Sequence, residues 1–560
     1  MRPDHPLFDA LRAAPFHLDD KAVDWVRDTA QSLTPRAAIA QLFNIGLHGP
    51  AAGLADEIIA LQPGAITRFF HDDAATEMAL LDDIQAGADV PLLVSADLEG
   101  SAMSLSFGTV TPNPLAMAAA DDPELTRAIS RIMAEEARAV GVNWTFTPVL
   151  DINAAFRSAI VATRGYGSDV AKIARHALVQ ADEFQKCGVA ACVKHWPGEG
   201  YDDRDQHLVT TINPLSLDEW EDTFGRLYRA AFAQDTLSVM SAHIALPAYI
   251  RQDDPDAGLE AYRPASLSHK LTHEFLRERL GFNGVIVSDA SEMSGATAFM
   301  EMVEAKIEML RAGCDMVLFT GDLPGDIDRV TQAVAEGTLS QERLDSALIR
   351  VLGLKARLGL HLPATQTVAE RRAVLKRPAA QTVADQAFAM APTLVKDVQG
   401  ILPVNLTDHR RILFLSDGIN SPLHGAPQPF DLPEMLRAQG FEVHEHVKGA
   451  AIDPRDYDLA LYAFGEETLL TRGRIFLDWL QLTGDFRHAM QRLWHDLPVV
   501  MLSFGYPYYL YDAPRAPCYI NAYCTVPEMQ KAVMACLLGQ APFAGTSPVD
   551  PFCGLEDARY

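Results

Sequence analysis

Features of secreted and membrane proteins are scarce in this sequence. Its seven cysteines are scattered, odd in number and form no C-x-x-C pair, so we expect reduced thiols and neither a disulfide framework nor a zinc site. No window approaches about eighteen uninterrupted apolar residues. The N-terminal stretch MRPDHPLFDALRAAPFHLDD lacks the basic start and apolar run of a signal peptide. These absences predict a cytoplasmic protein without a membrane span.

Basic residues are also few. Lysine and arginine number 47 against 74 aspartates and glutamates, which gives a formal net charge of −27. A field of that sign repels phosphate backbones and anionic lipid surfaces, so we expect neither a nucleic acid nor a membrane as a partner. The motifs G-x-x-x-x-G-K-[ST], G-x-G-x-x-G and H-E-x-x-H are absent, which removes the usual evidence for phosphate-loop, dinucleotide and zinc-protease sites.

Residues 1–360 alternate short apolar runs with amphipathic helical patterns. The chain of 560 residues is long enough for at least two domains. Eight runs are typical of buried strands: IAQLFNIGL, AITRFF, PLLVSAD, NWTFTPVLD, VAACVKHW, LSVMSAHI, NGVIVSDA and DMVLFTG. Strands that alternate with helices over this length favour a parallel α/β fold, most economically a (β/α)8 barrel of the TIM type.

The rest of the chain predicts a second unit. Residues 361–405 are interpreted as a linker that contains a helix and a short hairpin. Over residues 406–560 the strand and helix patterns restart, with one helix near 475–495, which predicts a smaller α/β sandwich domain built on an open sheet.

Several strand candidates of the barrel end in polar or charged groups. Asp97, Asp151, the pair Lys194-His195, His243 and Asp289 all stand at such ends. In a barrel these carboxyl ends face the active site. Charges also end strands for no functional reason, but five at corresponding positions favour a site.

Two stretches offer chemistry for a sugar. Asp289, in GVIVSDASEMSGA, could be a carboxylate nucleophile or could simply cap the helix that follows. In KHWPGEGYDDRDQH, residues 194–207, Asp205 stands two residues before His207. The carboxylate can fix the imidazole tautomer while the other ring nitrogen donates and later accepts a proton. Alone, this D-x-H could be a coincidence in a polar loop.

Together these stretches resemble the β-N-acetylhexosaminidases of glycoside hydrolase family 3. KHWPGEGYDDRDQH is similar to that family's K-H-F-P-G-H-G-x5-D-x-H segment without a gap, and VIVSDASEM is similar to its nucleophile strand. FTPVLDINAAFRSAIVATRGYG resembles its F-x-P-V-x-D segment with a downstream arginine. The segments VMSAHIALPAY, RAGCDMVLF, LVKDVQGILPV and VVMLSFGYPYYLYDAP extend the resemblance to roughly residues 35–545.

The resemblance implies a retaining, exo-acting β-N-acetylhexosaminidase. Asp289 would be the nucleophile, with His207 and Asp205 as the acid/base dyad. The implied substrate-binding residues are Asp97, Arg164, Lys194, His195, Met240 and His243. The substrate would be a small β-linked carbohydrate, for example a wall or chitin fragment, and no metal or other cofactor is expected. A homodimer is compatible with this assignment.

Three departures from the family pattern keep alternatives open. The family's D-x-E-G-G-R-V-Q-R is DLEGSAMSL here, with Ala102 and Leu105 in place of two arginines. Its P-G-H-G is P-G-E-G, and we expect Glu199 either to alter the loop or to attract a cationic substrate group such as an amine. The alternatives are a β-glucosidase or glucosaminidase, a phosphate-dependent glycosidase, and a sugar-binding protein without catalysis.

Overall fold

Eight parallel strands of the first 360 residues close into a barrel. The computed structural model describes residues 5–49, 53–70, 73–363, 365–422 and 425–560. The strands of this half are β1 (Phe43–His48), β2 (Ala65–Phe69), β3 (Leu93–Ala96), β4 (Trp144–Thr145), β5 (Ala190–Trp196), β6 (Thr211–Ile212), β7 (Ser238–Ser241), β8 (Ile244–Ala245), β9 (Val285–Ala290) and β10 (Met316–Leu318). Around the barrel the order is β1-β2-β3-β4-β5-β7-β9-β10, and β10 pairs with β1. The predicted barrel and its eight strands are confirmed.

Helices surround the barrel. They are α1 (Leu7–Ala10), α2 (Asp20–Ser32), α3 (Pro35–Ala40), α4 (Leu54–Leu61), α5 (Ala74–Ala86), α6 (Pro114–Ala120), α7 (Pro123–Val140), α8 (Val170–Lys186), α9 (Leu217–Trp220), α10 (Arg226–Phe232), α11 (Pro247–Asp253), α12 (Ser294–Thr297), α13 (Met302–Ala312), α14 (Leu323–Ala335) and α15 (Gln341–Arg357). Short π-helical segments span Glu221–Gly225 and Lys270–Arg279, and 3₁₀ turns span Gly258–Tyr262 and Ala265–Leu267. No helix among the described residues is long and apolar enough to cross a membrane.

Local sequence explains where the long helices begin and end. The side chain of Asp122 accepts hydrogen bonds from the first backbone N–H groups of α7, and Gly141 ends that helix in the left-handed region. Asp169 caps α8 in the same way. Because apolar residues recur on one face of each helix, both bury that face, and α7 and α8 pack against each other beside the barrel.

The second sheet has six strands in the order β11-β16-β15-β14-β12-β13. These are β11 (Thr393–Asp397), β12 (Arg411–Asn420), β13 (Glu442–Glu445), β14 (Leu459–Glu466), β15 (Val499–Ser503) and β16 (Cys518–Asn521). All neighbours pair in parallel except β11, which runs antiparallel to β16. The helices are α16 (Val368–Arg372), α17 (Pro378–Met390), α18 (Leu432–Ala438), α19 (Trp479–Thr483), α20 (Phe486–Ala489) and α21 (Pro527–Leu537), with 3₁₀ turns at Pro454–Asp456, Tyr509–Tyr511 and Glu556–Arg559. The predicted second α/β unit is confirmed.

Two details of this half differ from the predictions. The short hairpin expected before residue 405 is wrong, because β11 pairs with the distant strand β16 instead of with a neighbouring segment. The single helix expected near 475–495 is also wrong. Gly484 adopts the left-handed conformation after α19, and Asp485 accepts the first N–H groups of α20, so two short helices form. The limits of 360 and 405 for the linker stay a prediction.

The two halves contact each other beside the carboxyl ends of the barrel strands. Asn113, at the start of α6, donates a 2.7 Å hydrogen bond to the carbonyl oxygen of Tyr523. The hydroxyl of Tyr506 donates to the carbonyl oxygen of Phe156 at 2.5 Å. The second half therefore contributes walls to whatever site the barrel holds.

Candidate active site

A cavity of about 300 Å³ opens at the carboxyl ends of the barrel strands. Seven of the nine predicted site residues line it: Asp97, Arg164, Lys194, His195, His207, Met240 and Asp289. The second half closes one side with residues at and after the ends of β12 and β14, including Asn420 and Glu467. Side chains that are far apart in sequence thus share one enclosed space, as the polar strand ends predicted.

Asp289 lies near the end of β9 with its carboxylate at the cavity wall. Its Oδ1 accepts a 2.8 Å hydrogen bond from the backbone N–H of Ala290. Burial opposes ionisation, but the imidazoles of His195, His243 and His207 outweigh it and hold the pKa of Asp289 below its ordinary value. The next helix, α12, has Met293 at its N-cap and no side-chain cap. The alternative that Asp289 caps this helix is therefore wrong, and its carboxylate is available to a substrate.

Asp205 and His207 form a hydrogen-bonded pair. Nδ1 of His207 donates to Oδ1 of Asp205 at 2.7 Å, and the same oxygen accepts the backbone N–H of His207 at 2.8 Å. The other carboxylate oxygen accepts the backbone N–H of Thr471, in the second half, at 2.8 Å. Burial opposes ionisation of Asp205, but its contacts with His207 and Thr471 keep its pKa below the ordinary value. Asp205 is buried behind the imidazole, so Nε2 of His207 is the nitrogen left for a ligand.

The cationic residues of the cavity are held by carboxylates. Arg164 binds Glu99 with two hydrogen bonds of 2.8 and 2.9 Å. Nζ of Lys194 lies 2.8 Å from both Asp97 and Glu99. Burial opposes ionisation of Glu99, but the charges of Arg164 and Lys194 lower its pKa strongly. Because these charges are paired within the protein, the group is rigid and its remaining donors and acceptors suit the hydroxyls of a sugar ring.

His195 continues this network to Asp151. Its Nδ1 donates to Oδ2 of Asp151 at 2.5 Å, which leaves Nε2 toward the cavity, 3.5 Å from the guanidinium of Arg164. Asp151, at the end of the strand candidate that contains β4, therefore orients a site residue without lining the cavity itself.

Comparison with known proteins agrees with sugar chemistry at this site. Residues 34–354 match the glycosyl hydrolase family 3 N-terminal domain. A protein of Cellulomonas fimi named beta-N-acetylglucosaminidase/beta-glucosidase is 36% identical over 573 residues, which cover 98% of this chain and 99% of that protein. The chain belongs to glycosyl hydrolase family 3. The resemblance predicted from the motifs is thereby confirmed, and the protein is a glycosidase of this family.

Two solved structures extend the comparison to both halves of this family 3 glycosidase. A structure titled beta-glucoside phosphorylase BglX bound to 2FGlc has a TM-score of 0.90 and 31% identity, with 97% of this chain and 99% of that chain covered. A family 3 beta-N-acetylglucosaminidase from Paenibacillus sp. str. FPU-7 has a TM-score of 0.79 at 24% identity, with 94% and 100% covered. The latter likeness shows the shared fold.

Two acidic residues at this candidate site were not predicted from the sequence. Glu99 binds both cationic residues, as described above. Its position two residues after Asp97, in the same strand-end segment, is a signal that could have identified it. Glu467 lines the cavity from the second half and accepts hydrogen bonds from Ser101 at 2.7 Å, Asn113 at 3.0 Å and Thr525 at 2.7 and 2.8 Å. No pattern around Glu467 marked it, because its partners come from distant segments.

His243 and Glu199 lie outside the cavity wall. Nε2 of His243 donates to the carbonyl oxygen of Ala290 at 2.9 Å, and its Nδ1 lies 2.8 Å from the hydroxyl of Ser266. Both nitrogens are thus used within the protein, and this arrangement offers no direct sugar contact. Glu199 is 2% exposed. Glu199 does not line the cavity, and its carboxyl group binds Gln206. The hypothesis that it attracts a cationic group of the substrate stays a prediction.

The two positions at which the family pattern has arginine, Ala102 and Leu105, lie in different surroundings. Ala102 lines the cavity, whereas Leu105 is buried in the apolar core. Next to Ala102, the hydroxyl of Ser101 binds Glu467. At this wall the cavity therefore carries a small apolar side chain and a carboxylate where the family pattern has a cation.

Asp151, His195 and Glu199 form the one group in the described ranges whose ligand atoms could surround a metal ion, all within 4.8 Å of one another. Asp151 already accepts hydrogen bonds from His195 and from the backbone N–H of Glu199 at 2.9 Å. The three residues therefore form a hydrogen-bonded network, and their side chains already take part in hydrogen bonds within the protein.

Proposed function

We propose that this glycosidase is a retaining, exo-acting β-N-acetylhexosaminidase that removes a terminal β-linked amino sugar. The observation that carries the proposal is the common cavity of Asp289 and His207, with Asp205 behind the imidazole. A carboxylate with a lowered pKa suits a nucleophile, and an imidazole whose Nδ1 is held by a carboxylate suits a proton donor at Nε2.

The proposed reaction has two steps. Asp289 attacks the anomeric carbon while Nε2 of His207 gives its proton to the glycosidic oxygen, so the aglycone leaves and a glycosyl–enzyme ester remains. In the second step His207 takes a proton from water, whose oxygen bonds to the anomeric carbon as the ester bond to Asp289 breaks. Configuration at the anomeric carbon is inverted twice and is therefore retained.

We assign the sugar-binding role to the network at the base of the cavity. Asp97, Lys194, Arg164 and His195 present donors and acceptors to the ring hydroxyls, and Met240 supplies an apolar contact. The pairing of these charges with Glu99 and Asp151 fixes their positions before the sugar binds, which reduces the entropy lost on binding. We also propose a cytoplasmic enzyme that acts on small carbohydrate fragments.

A panel of aryl glycosides tests the proposal. Wild type and Asp289→Asn are assayed with 4-nitrophenyl β-N-acetylglucosaminide, β-glucoside, β-N-acetylgalactosaminide and β-glucosaminide. The proposal expects the acetamido glucoside to be cleaved best and Asp289→Asn to lose at least about 10³-fold in kcat. Faster cleavage of the glucoside would instead indicate a β-glucosidase, which is the second activity in the name of the Cellulomonas relative. No cleavage of any glycoside would favour a sugar-binding protein.

Phosphate is a second candidate acceptor. A deprotonated imidazole is uncharged, so it does not repel an approaching phosphate as a carboxylate acid/base would. One solved relative with a TM-score of 0.90 is titled a phosphorylase. In this variant a phosphate oxygen forms the bond to the anomeric carbon, the bond to Asp289 breaks, and a sugar 1-phosphate leaves. Product analysis with and without inorganic phosphate separates the two acceptors: free sugar at an unchanged rate supports hydrolysis, and sugar 1-phosphate at a higher rate supports phosphorolysis.

A further inference from the structure

Gln206 stands between the two members of the proposed acid/base dyad, and its side chain points away from solvent. It is fully buried. Its Nε2 donates a 3.0 Å hydrogen bond to Oε2 of Glu199, and its Oε1 accepts the backbone N–H of His243 at 3.1 Å. The side-chain amide thus joins the dyad loop to two separate segments of the barrel.

Glu199 is a fixed anchor for this amide. Its backbone N–H donates to Oδ1 of Asp151 at 2.9 Å, and its carbonyl oxygen accepts the N–H of Ile152 at 3.1 Å. The neighbouring Gly200 has a φ of +112°, and a Cβ there would meet the carbonyl oxygen of Ile152 at 1.9 Å. Because the backbone is held on both sides, the carboxyl group of Glu199 has a defined position under the loop.

The surroundings of Glu199 favour its neutral form. Asp151, Asp205 and Asp289 all lie near enough to act on it electrostatically, and Arg164 is the one cation that opposes them in the same set. The ring of His195 belongs to the same cluster. No ion pair of Glu199 occurs within the described residues. Burial and the adjacent carboxylates raise the pKa of Glu199 well above its ordinary value.

We propose that Glu199 is a positioning residue that holds Gln206 and thereby keeps His207 in place for proton transfer. This inference rests on the proposed role of His207. Glu199 does not line the cavity, so its effect on His207 passes through Gln206. Its other carboxyl oxygen, Oε1, accepts a longer hydrogen bond of 3.5 Å from the hydroxyl of Thr211. An ionised Glu199 would add a negative charge beside three carboxylates, so the neutral acid avoids a repulsion that would disturb the same loop.

A comparison of substrates with different leaving groups tests the proposal, because misfolding alone would lower activity toward both substrates equally. A poor leaving group such as phenol needs the proton from His207, whereas 2,4-dinitrophenol leaves without it. Removing general acid catalysis costs about 10²–10⁴-fold. We expect Glu199→Ala and Gln206→Ala to reduce kcat/KM about 10- to 100-fold for the phenyl glycoside and to change it by less than about threefold for the dinitrophenyl glycoside.

The conservative variant separates positioning from charge. Glu199→Gln keeps an acceptor oxygen for Gln206 and remains uncharged, so it should retain kcat/KM for both substrates. Glu199→Asp shortens the side chain by one methylene and should behave like Glu199→Ala. Gln185→Ala is the matched control. Gln185, in α8, also joins two segments, with hydrogen bonds to the carbonyl oxygen of Asp235 at 3.0 Å and from the N–H of Leu237 at 2.8 Å, but these partners precede β7 at the amino ends of the barrel strands. Its substitution should leave the ratio of the two substrates unchanged.

Two outcomes overturn the inference. In the first, Gln206→Ala lowers kcat/KM equally for the phenyl and dinitrophenyl glycosides, which would mean that the contact is merely structural. In the second, Glu199→Gln fails to retain kcat/KM for the phenyl glycoside, which would require an ionised or proton-donating Glu199. His207→Ala distinguishes these from failure of the proposed function. If His207→Ala shows no dependence on the leaving group, the assigned role of His207 is wrong. If it shows that dependence and Gln206→Ala does not, only the inference about Glu199 is overturned.

Discussion

The backbone N–H of Thr471 donates a 2.8 Å hydrogen bond to Oδ2 of Asp205. Asp205 is on the loop after β5 of the barrel, whereas Thr471 is on the loop after β14 of the second sheet. The carboxylate that orients His207 is therefore satisfied by both halves of the chain, since its other oxygen binds His207. The second half completes the proposed proton-transfer group and does more than cover the barrel.

Two substitutions at Thr471 should distinguish the contribution of its backbone N–H from that of its side chain. Its φ is +64°, where a β-branched residue is strained and glycine is not. Thr471→Gly keeps the N–H and should retain kcat within about twofold. Thr471→Pro removes the donor and cannot adopt this φ, so a loss of about tenfold or more is expected for substrates with poor leaving groups. Steady-state kinetics on the phenyl glycoside checks this, and equal activity of the two variants would contradict it.

Asp205→Asn should impair the acid/base without removing it. The amide cannot stabilise an imidazolium and can present its NH2 to Nδ1, which selects the wrong tautomer. We expect kcat for a phenyl glycoside to fall about 10²-fold or more and kcat/KM for a dinitrophenyl glycoside to fall much less. Circular dichroism on the same samples controls for folding. Equal losses for both substrates would count against the dyad.

The decline of kcat/KM on the acid side of the pH profile should occur only at low pH. The pKa of Asp289 is held below its ordinary value, so the nucleophile stays ionised as the pH falls to about 4. By the same sign, the contribution of this carboxylate to stability is present above the unfolded-state pKa and is lost as the pH falls through the lower folded-state pKa. We expect kcat/KM for the dinitrophenyl glycoside to stay constant from about pH 6 down to about pH 4.5. An acid limb centred above about pH 5 would contradict this assignment.

Glu99→Gln should cost both stability and affinity. Glu99 is 3% exposed and binds Arg164 and Lys194. Its neutralisation leaves two buried cations with less compensation, and breaking a buried pair typically costs about 3–5 kcal/mol. Chemical denaturation measures the free energy of unfolding, and KM should rise because the sugar-binding cations shift. Glu442→Gln, which removes an exposed partner of Arg410, is a control expected to change the unfolding free energy little.

The stability of the Glu199→Gln variant relative to wild type should increase as the pH rises. The pKa of Glu199 is raised in the folded state, so its stabilising contribution is complete below the unfolded-state pKa of about 4.3 and is lost as the pH rises toward the folded-state value. Glutamine cannot ionise and avoids this loss. The difference in Tm between Glu199→Gln and wild type should therefore grow between about pH 5 and pH 8. A constant difference over this range would show that Glu199 is not held neutral.

The sequence alone determined the barrel, the second α/β unit and the chemistry at the strand ends. Eight apolar runs of strand length alternate with helices in the first half, and buried parallel strands leave such runs whatever the tertiary details. Asp97, Lys194, His195 and Asp289 were identifiable because they follow or end these runs, and the side chains at that edge must face the same end of a barrel. The spacing of Asp205 and His207 was equally visible, since both lie in one loop.

Tertiary structure alone decided what depends on contacts between distant segments. The pairing of β11 with β16, and the contacts of Glu467 and Thr471 with the barrel, join residues more than a hundred positions apart. No local pattern encodes such contacts, because each partner by itself is an ordinary polar or strand residue. Burial likewise sets the direction of the pKa shift of Glu199. A glutamate in a polar loop is normally an exposed anion, and only enclosure in the folded chain beside Asp151 raises its pKa.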